Sequence, residues 1–338
     1  MSIINRTGLA VTSKLGLWDI YARVSDLVYK SRVRIVMYHR VAESTEHPWS
    51  LTSVSPRNFE DQIKYARSKY NVISLEELAS HITGQQPLPQ RPLVLTFDDG
   101  YRDNYLHAYP ILQKYNTPAT IFLTTGYIGT GELLWVDKVR YNVYHSQNQE
   151  IRLAGLGSYS LSTIRERQAL ANLITGKAKK LNSEERSTLI AEVIRSTGID
   201  VPASLGKELM MSWDEVKEMS DNGISFGAHT VSHPILTSIS PEQAENEILQ
   251  SKKDIEDRLK KPVTTFAYPN GKSGDYDRRT IQILKEAGFT CAVTTIKGMA
   301  TSKQGLYELR RISPGWDLPS FKFLTCGLFY HLLVRRGS

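Results

Sequence analysis

The sequence predicts an α/β protein: a closed or nearly closed βα barrel that carries a helical insertion. Three observations predict it. Short β-branched or aromatic runs alternate with stretches of helical spacing, the rhythm of parallel strands joined by crossover helices. Eight such runs occur, enough to bring a sheet round on itself: "RIVMYHRV", "NVISL", "PLVLTFDDG", "ATIFLTTG", "GISFGAHT", "TTFAYPNG", "CAVTTIKG" and "LYELRRIS". Polar chemistry collects where the runs end, with His39 on the first, Asp98 and Asp99 on the third, His229 on the fifth and "YPNG" on the sixth. In a βα barrel all those ends converge on one face.

The elements follow in order. Leu17, Tyr21, Val24 and Leu27 or Val28 recur at helical spacing and predict an amphipathic helix in an N-terminal segment, 1–33. The barrel is expected over 34–320. Its helices read as "PRNFEDQIKYARSKY", "DEVKEMSDNG", "PEQAENEILQSKKDIEDRLKK" and "YDRRTIQILKEAG", with Pro or Asp near several starts and Gly after some ends. Between about Leu133 and Met211 the strand signal gives way to polar helical stretches such as "SEERSTLIAEVIRS", which predict a helical insertion at 133–211 after the fourth run. Residues 321–338 form an apolar and basic tail. Its most apolar part, Phe323 to Val334, is well short of the roughly 20 residues that span a bilayer.

Composition narrows the partners. A chain of 338 residues with 41% hydrophobic content can bury a large core. The 42 basic and 35 acidic residues leave +7, without the dense Lys/Arg blocks of a nucleic-acid binder. Two cysteines, Cys291 and Cys326, make neither a disulfide framework nor a CxxC metal site. Lys14 interrupts the N-terminal apolar stretch and no small-residue cleavage site follows, so a cytoplasmic protein is expected. Arg6, Lys14, Arg23 and Lys30 at one end, with Lys322, Arg335 and Arg336 at the other, suit peripheral contact with anionic lipid on the inner face of a membrane. Packing of both segments on the barrel is the alternative.

The stretch "LVLTFDDGYRDNY" sets two carboxylates side by side at the end of an apolar run. They repel, and burial would raise at least one pKa, so the pair suits a strand that delivers charge to a site. In "GAHTVSHPIL", His229 and His233 are four residues apart, and Pro234 disfavours a helix at His233. Two imidazoles and one of the carboxylates make a metal site with a position left for water. The other carboxylate is then free for proton transfer. Alone, an acidic pair suits a solvated turn and HxxxH two unrelated histidines; together, at strand ends flanked by Gly, they point to one site.

At "TFDDG" and "HTVSH" the sequence resembles the polysaccharide deacetylase family, also called the NodB-homology or carbohydrate esterase family 4 group. The resemblance runs from about Arg34 to Ser313 apart from the insertion, and the order "MYHRV", "SPRNFEDQI", "TFDDGYRDNY", "HTVSHPIL", "FAYPNG" is similar to the branch acting on bacterial surface glycans and exopolysaccharides. It implies a distorted (β/α)7-8 barrel, a divalent ion (Zn2+, or another such as Co2+ or Ni2+), and removal of N- or O-acyl groups from sugars. Carried over, Asp99, His229 and His233 are metal ligands and Asp98 is the catalytic base. Asn270 aligns with the residue whose backbone N–H faces the oxyanion, with Tyr268 beside it in the same turn.

The sequence also departs from the family's commonest pattern. Ala267 stands where that pattern has Arg, and no late Leu-x-His supplies a general acid; His331 lies in the apolar tail. Arg310 or Arg311, with Arg311 put forward, is placed to pair with Asp98 instead. His39 is the expected general acid, because the surface-glycan branch carries this histidine on the first strand and histidine titrates near working pH. The expected reaction is metal-dependent removal of N-acetyl groups from amino sugars of a polysaccharide, surface glycan or lipid-linked precursor. Two alternatives stand beside it: a glycan-binding module without activity, and an iron oxygenase built on two histidines and one carboxylate. A glycosidase fits less well, since its carboxylates flank a bond at about 5 Å or more.

Overall fold

Seven parallel strands run in chain order around a ring: β1 (Arg32–Tyr38), β2 (Pro92–Phe97), β3 (Thr120–Leu123), β4 (Ser225–Ala228), β5 (Thr265–Ala267), β6 (Cys291–Lys297) and β7 (Leu309–Arg311). The structure is a computed structural model and describes residues 6–28, 32–43, 49, 53–84, 86–301 and 305–328. The ring shuts where the end of β7 meets β1 through a parallel bridge between Val36 and Ile312. Met37 N–H donates to the Ile312 carbonyl at 2.9 Å, and Ile312 N–H to the Ile35 carbonyl at 2.7 Å.

The second run, "NVISL", does not join the ring. Only Asn71–Val72 pairs, with Pro92 and Leu93 at the start of β2. The chain then turns because Ser74 caps the helix Leu75–Ile82 in a reciprocal pair with Glu77: the Glu77 N–H donates to Ser74 Oγ and the Ser74 N–H to Glu77 Oε2. A cap that satisfies the first helical N–H groups outweighs two more residues of strand.

The strands read as near-continuous apolar runs because both faces are covered; β2 and β3 bury every residue. Strand alternation sorts their side chains. Val33, Ile35, Val94, Phe122, Ala267, Val293 and Leu309 cluster inside the barrel. The alternate set, including Tyr38, Leu95, Phe97, Phe226, Phe266 and Tyr268, packs with Phe59, Ile63, Val216, Ile248 and Leu284 of the surrounding helices.

Between β3 and β4 the chain forms helices Trp135–His145, Ile164–Ala178, Ser183–Thr197 and Ala203–Leu209. It also forms an antiparallel hairpin of Glu150–Leu153 with Gly157–Ser160, where helix alone was expected. Ile151 and Leu153 join Val139, Leu170, Ile174 and Val193 in a separate small core. Four-residue strands give too short an alternation to stand out in the sequence.

The N-terminal helices Arg6–Lys14 and Leu17–Val28 pack beside the helix Leu318–Thr325, with Trp18 edge-on to Phe323 at 4.9 Å. Buried Arg34 ties them to the barrel through Thr325 O (2.6 Å) and Asp26 (2.5 Å). The helix buries Trp18, Ala22 and Ser25, so Leu17, Val24 and Leu27 of the apolar stripe face solvent together with Ile20. Among the described residues no helix is long and apolar enough to cross a membrane. Lys30, His331, Arg335 and Arg336 lie outside the described residues.

Candidate active site

The alternation that sends Val94 and Thr96 into the barrel continues to Asp98, just past the end of β2. There Asp98 meets Arg311, which follows Leu309 on the inward side of β7. Arg311 Nη1 donates to Asp98 Oδ1 at 2.7 Å and Nη2 to Oδ2 at 2.6 Å. Arg311 is fixed in turn by donating Nε–H to the Thr294 carbonyl at 2.7 Å. Burial pushes the Asp98 carboxyl up, but the Arg311 guanidinium outweighs it and holds the group below the usual carboxylate range. His39, at the end of β1, brings Nε2 to 3.9 Å from Asp98 Oδ2 and keeps its side chain 27% exposed.

A plain strand would turn Asp99 away from Asp98. Instead the chain breaks into a turn in which Asp99 has φ 78° and Gly100 has φ 84°. The left-handed φ at Gly100 favours glycine, and a Cβ there would also have to displace Ile128 Cδ1 from 2.8 Å. The turn brings Asp99 Oδ1 to 3.5 Å from His229 Nε2 and 3.5 Å from His233 Nε2. One ligand atom from each of the three residues lies within 4.8 Å of the others.

Both imidazoles are set by their surroundings. His229 Nδ1 lies 2.6 Å from the Ala267 carbonyl. An N–H there leaves the Nε2 lone pair toward Asp99, the arrangement of a metal-ligating histidine. His233 takes φ 57° ahead of Pro234, and its Nδ1 is buried without a partner among the described residues. Burial and the neighbouring His229 pull its pKa down to about 3, so its ring is neutral. Burial also lowers His229, but the Asp99 hydrogen bond and Asp98 outweigh it and raise the group. Glu247 organises the loop between the histidines, accepting from Val231 N–H, Ser232 N–H and Ser232 Oγ at 2.7, 2.8 and 2.6 Å.

After β5, Asn270 sits at φ 58°. Its side chain accepts from Lys179 Nζ at 2.7 Å and donates to Asp275 at 2.6 Å; its carbonyl accepts from Thr295 Oγ1 at 2.5 Å. Among the described residues nothing accepts from its backbone N–H. Gly271 permits the turn, since a Cβ there would lie 2.9 Å from Thr295 N. Tyr268 differs from expectation. Its N–H donates to Val293 O at 3.2 Å, its hydroxyl to Tyr307 O at 3.0 Å, and its ring stacks on Tyr276 at 4.1 Å. Alternation puts it in the outer layer, with its N–H and O–H both already donated.

Sequence reasoning missed Lys179, Glu247, Asp103 and Asn104. Asp103 accepts from Arg40 Nε (2.6 Å) and Val41 N–H (3.0 Å), and Asn104 donates to the His39 carbonyl at 2.9 Å. These two fix the end of β1 beside Asp98. They belong to "DGYRDNY", so their place directly after the acidic pair was a usable signal.

The profile described as polysaccharide deacetylase matches residues 85–292. YxkH of Bacillus subtilis, provisionally named a polysaccharide deacetylase, is 24% identical over 294 residues, 86% of this chain and 75% of that protein. A poly-β-1,6-N-acetyl-D-glucosamine N-deacetylase of Staphylococcus aureus is 30% identical over 145 residues, 43% of this chain and 47% of that enzyme. The solved deacetylase PplD of Streptococcus pyogenes, in complex with acetate, shares the fold with TM-score 0.59 and 24% identity, covering 87% of this chain and 98% of that one. With a profile match over more than half its length and the seven-stranded parallel barrel beneath it, the chain belongs to the polysaccharide deacetylase family.

Proposed function

We propose that this chain hydrolyses N-acetyl groups on amino sugars of a bacterial polysaccharide, surface glycan or its lipid-linked precursor. One observation carries the reading: Asp99, His229 and His233 converge beside the Asp98–Arg311 pair at the mouth of the barrel. The name of the Staphylococcus aureus relative supports an N-acetylglucosamine polymer as the substrate class.

The donor set fits a divalent ion. Two Nε2 atoms and a carboxylate oxygen face one another, and His229 is held for ligation through its Nδ1 at the Ala267 carbonyl. Such a set suits Zn2+, Co2+ or Ni2+. When bound, the ion would polarise the acetyl carbonyl and acidify a water.

The remaining work falls to side chains. Asp98, ionised beside Arg311, takes the proton of the attacking water. Arg311 orients that carboxylate through both oxygens, whose other lone pairs remain available. The Asn270 N–H receives the developing oxyanion. His39, on the solvent side of Asp98, gives a proton to the leaving amine, which is too poor a leaving group as an anion.

Incubating purified protein with acetylated oligosaccharides and lipid-linked sugars, and measuring acetate and product mass, tests this. Acetate release abolished by chelation and restored by Zn2+ under anaerobic conditions is expected. Release without any metal would remove the metal-dependent reading, and turnover only with O2 would favour an oxygenase.

The N-terminal helices support a peripheral location. Val11, Leu15, Leu17, Ile20, Val24 and Leu27 are 45–73% exposed and lie near Lys14 and Arg23. An apolar ridge with basic flanks suits the surface of an anionic bilayer, where a lipid-linked sugar would be presented.

A further inference from the structure

An open cavity of about 370 Å3 lies beside the histidine loop, walled in part by the insertion; its lining includes Tyr127, Trp135, Ser183, Arg186, Ser187 and Ser232. Ser232 directly precedes His233, and Trp135 donates its indole N–H to the His233 carbonyl at 3.2 Å. The cavity therefore adjoins the proposed metal ligands. Its volume falls in the range of small-molecule sites.

One cation in this lining has Glu247 near it but no direct polar contact among the described residues. Arg186 is only 6% exposed, yet among the described residues its guanidinium makes no hydrogen bond and no ion pair. It rests over the Trp135 ring at 5.4 Å. Lys138, the other cation of the lining, is paired with Glu132. Glu247 already accepts three hydrogen bonds from Val231 and Ser232. Burial lowers the pKa of Arg186, while Tyr127 and the Glu247 carboxylate work the other way.

We propose that this cavity is a subsite for an anionic group, a carboxylate or a phosphate, carried by the sugar next to the one that loses its acetyl group, with Arg186 as the ligand. The planar fork of arginine matches either anion. Ser232 and Ser187 already donate their hydroxyls to Glu247 and to the Ser183 carbonyl, which leaves the Ser183 hydroxyl as the added donor, and the Trp135 face holds the guanidinium in place. The inference rests on the deacetylase reading and narrows its substrate to an acidic or phosphorylated glycan.

The test titrates the protein with methyl glucuronoside, glucose 6-phosphate and uncharged methyl glucoside, following thermal unfolding and tryptophan fluorescence. One or both anions should raise the unfolding temperature and change the fluorescence, and which anion does so separates carboxylate from phosphate. R186Q should abolish the response and R186K keep part of it. With N-acetylated disaccharides, R186Q should cut the acidic-over-neutral preference in kcat/KM by about 10- to 100-fold, the weight of a charged hydrogen bond, mainly through KM. Equal responses to charged and uncharged sugars in the wild type, or an unchanged preference in R186Q, would overturn the proposal. The titration needs no turnover, so it judges the subsite even where absence of acetate release counts against the deacetylase reading.

Discussion

Arg311 meets Asp98 through two parallel hydrogen bonds of 2.7 and 2.6 Å across 213 residues of sequence, with β1 lying between their strands. Both side chains are almost fully buried. Each is the other's neutralising charge, and removing one leaves the other stranded.

Arg311→Met should therefore destabilise the metal-free protein by about 3–5 kcal/mol at neutral pH, the usual cost of breaking a buried pair. The sign with pH follows from Asp98, whose folded pKa is lowered. Its contribution is fully present above the unfolded carboxylate pKa of about 4 and is lost as pH falls through the folded value. Thermal unfolding of wild type and variant should show the gap wide at pH 7 and narrowing in acid. A gap that stays constant with pH would assign the effect to packing alone.

The adjacent aspartates should separate by metal content. Asp99→Asn is expected to lose both metal and turnover, and Asp98→Asn to keep metal and lose turnover. Elemental analysis of the two purified variants checks this, and equal metal loss would contradict the division.

His39→Gln should lower turnover by roughly 10²–10⁴-fold, the range for lost acid–base help, with fold and metal content kept. The pH–rate profile adds a second check: the basic limb of the wild type should be missing in the variant. Near-normal turnover in a metal-loaded variant would move the acid elsewhere.

Lys179 is expected to act through Asn270, as a positioning residue. Lys179→Met should lower kcat by about 10-fold, on the scale of a charged hydrogen bond, with KM little changed and partial rescue by Lys179→Arg. A fall confined to thermal stability would mark the contact as structural only.

The apolar ridge should bind lipid. Flotation with vesicles containing phosphatidylserine is expected to carry the wild type at low salt, and Ile20→Ser with Leu27→Ser should weaken binding by about 10-fold or more, since burying one such side chain contributes about 1.5–3 kcal/mol. Equal flotation of wild type and double variant would place the contact elsewhere.

What the sequence made legible was local. Asp98, Asp99, His229 and His233 stand in two short motifs at strand ends, and strand alternation resolves Arg310 from Arg311 once Leu309 is known to face inward. The same alternation explains Tyr268, two residues from Asn270 and yet in the outer layer. Lys179 and Arg186 were not legible. They lie on helices whose polar faces look solvated in sequence, and only the docking of the insertion brings them to the barrel mouth.

The bridge between Val36 and Ile312, beside the antiparallel pairing of Arg32 and Val33 with Thr301 and Ala300, shuts the ring one residue beyond Arg311. A chain emerging from the ribosome carries both aspartates and both histidines long before this seventh strand. Until β7 docks, Asp98 lacks the Arg311 guanidinium and the barrel stays open between β6 and β1. Closure is a contact of very long sequence separation and so a late event in folding. On the proposed mechanism the nascent protein stays silent toward glycans until this last strand docks, and acquires its fold and its base in one step.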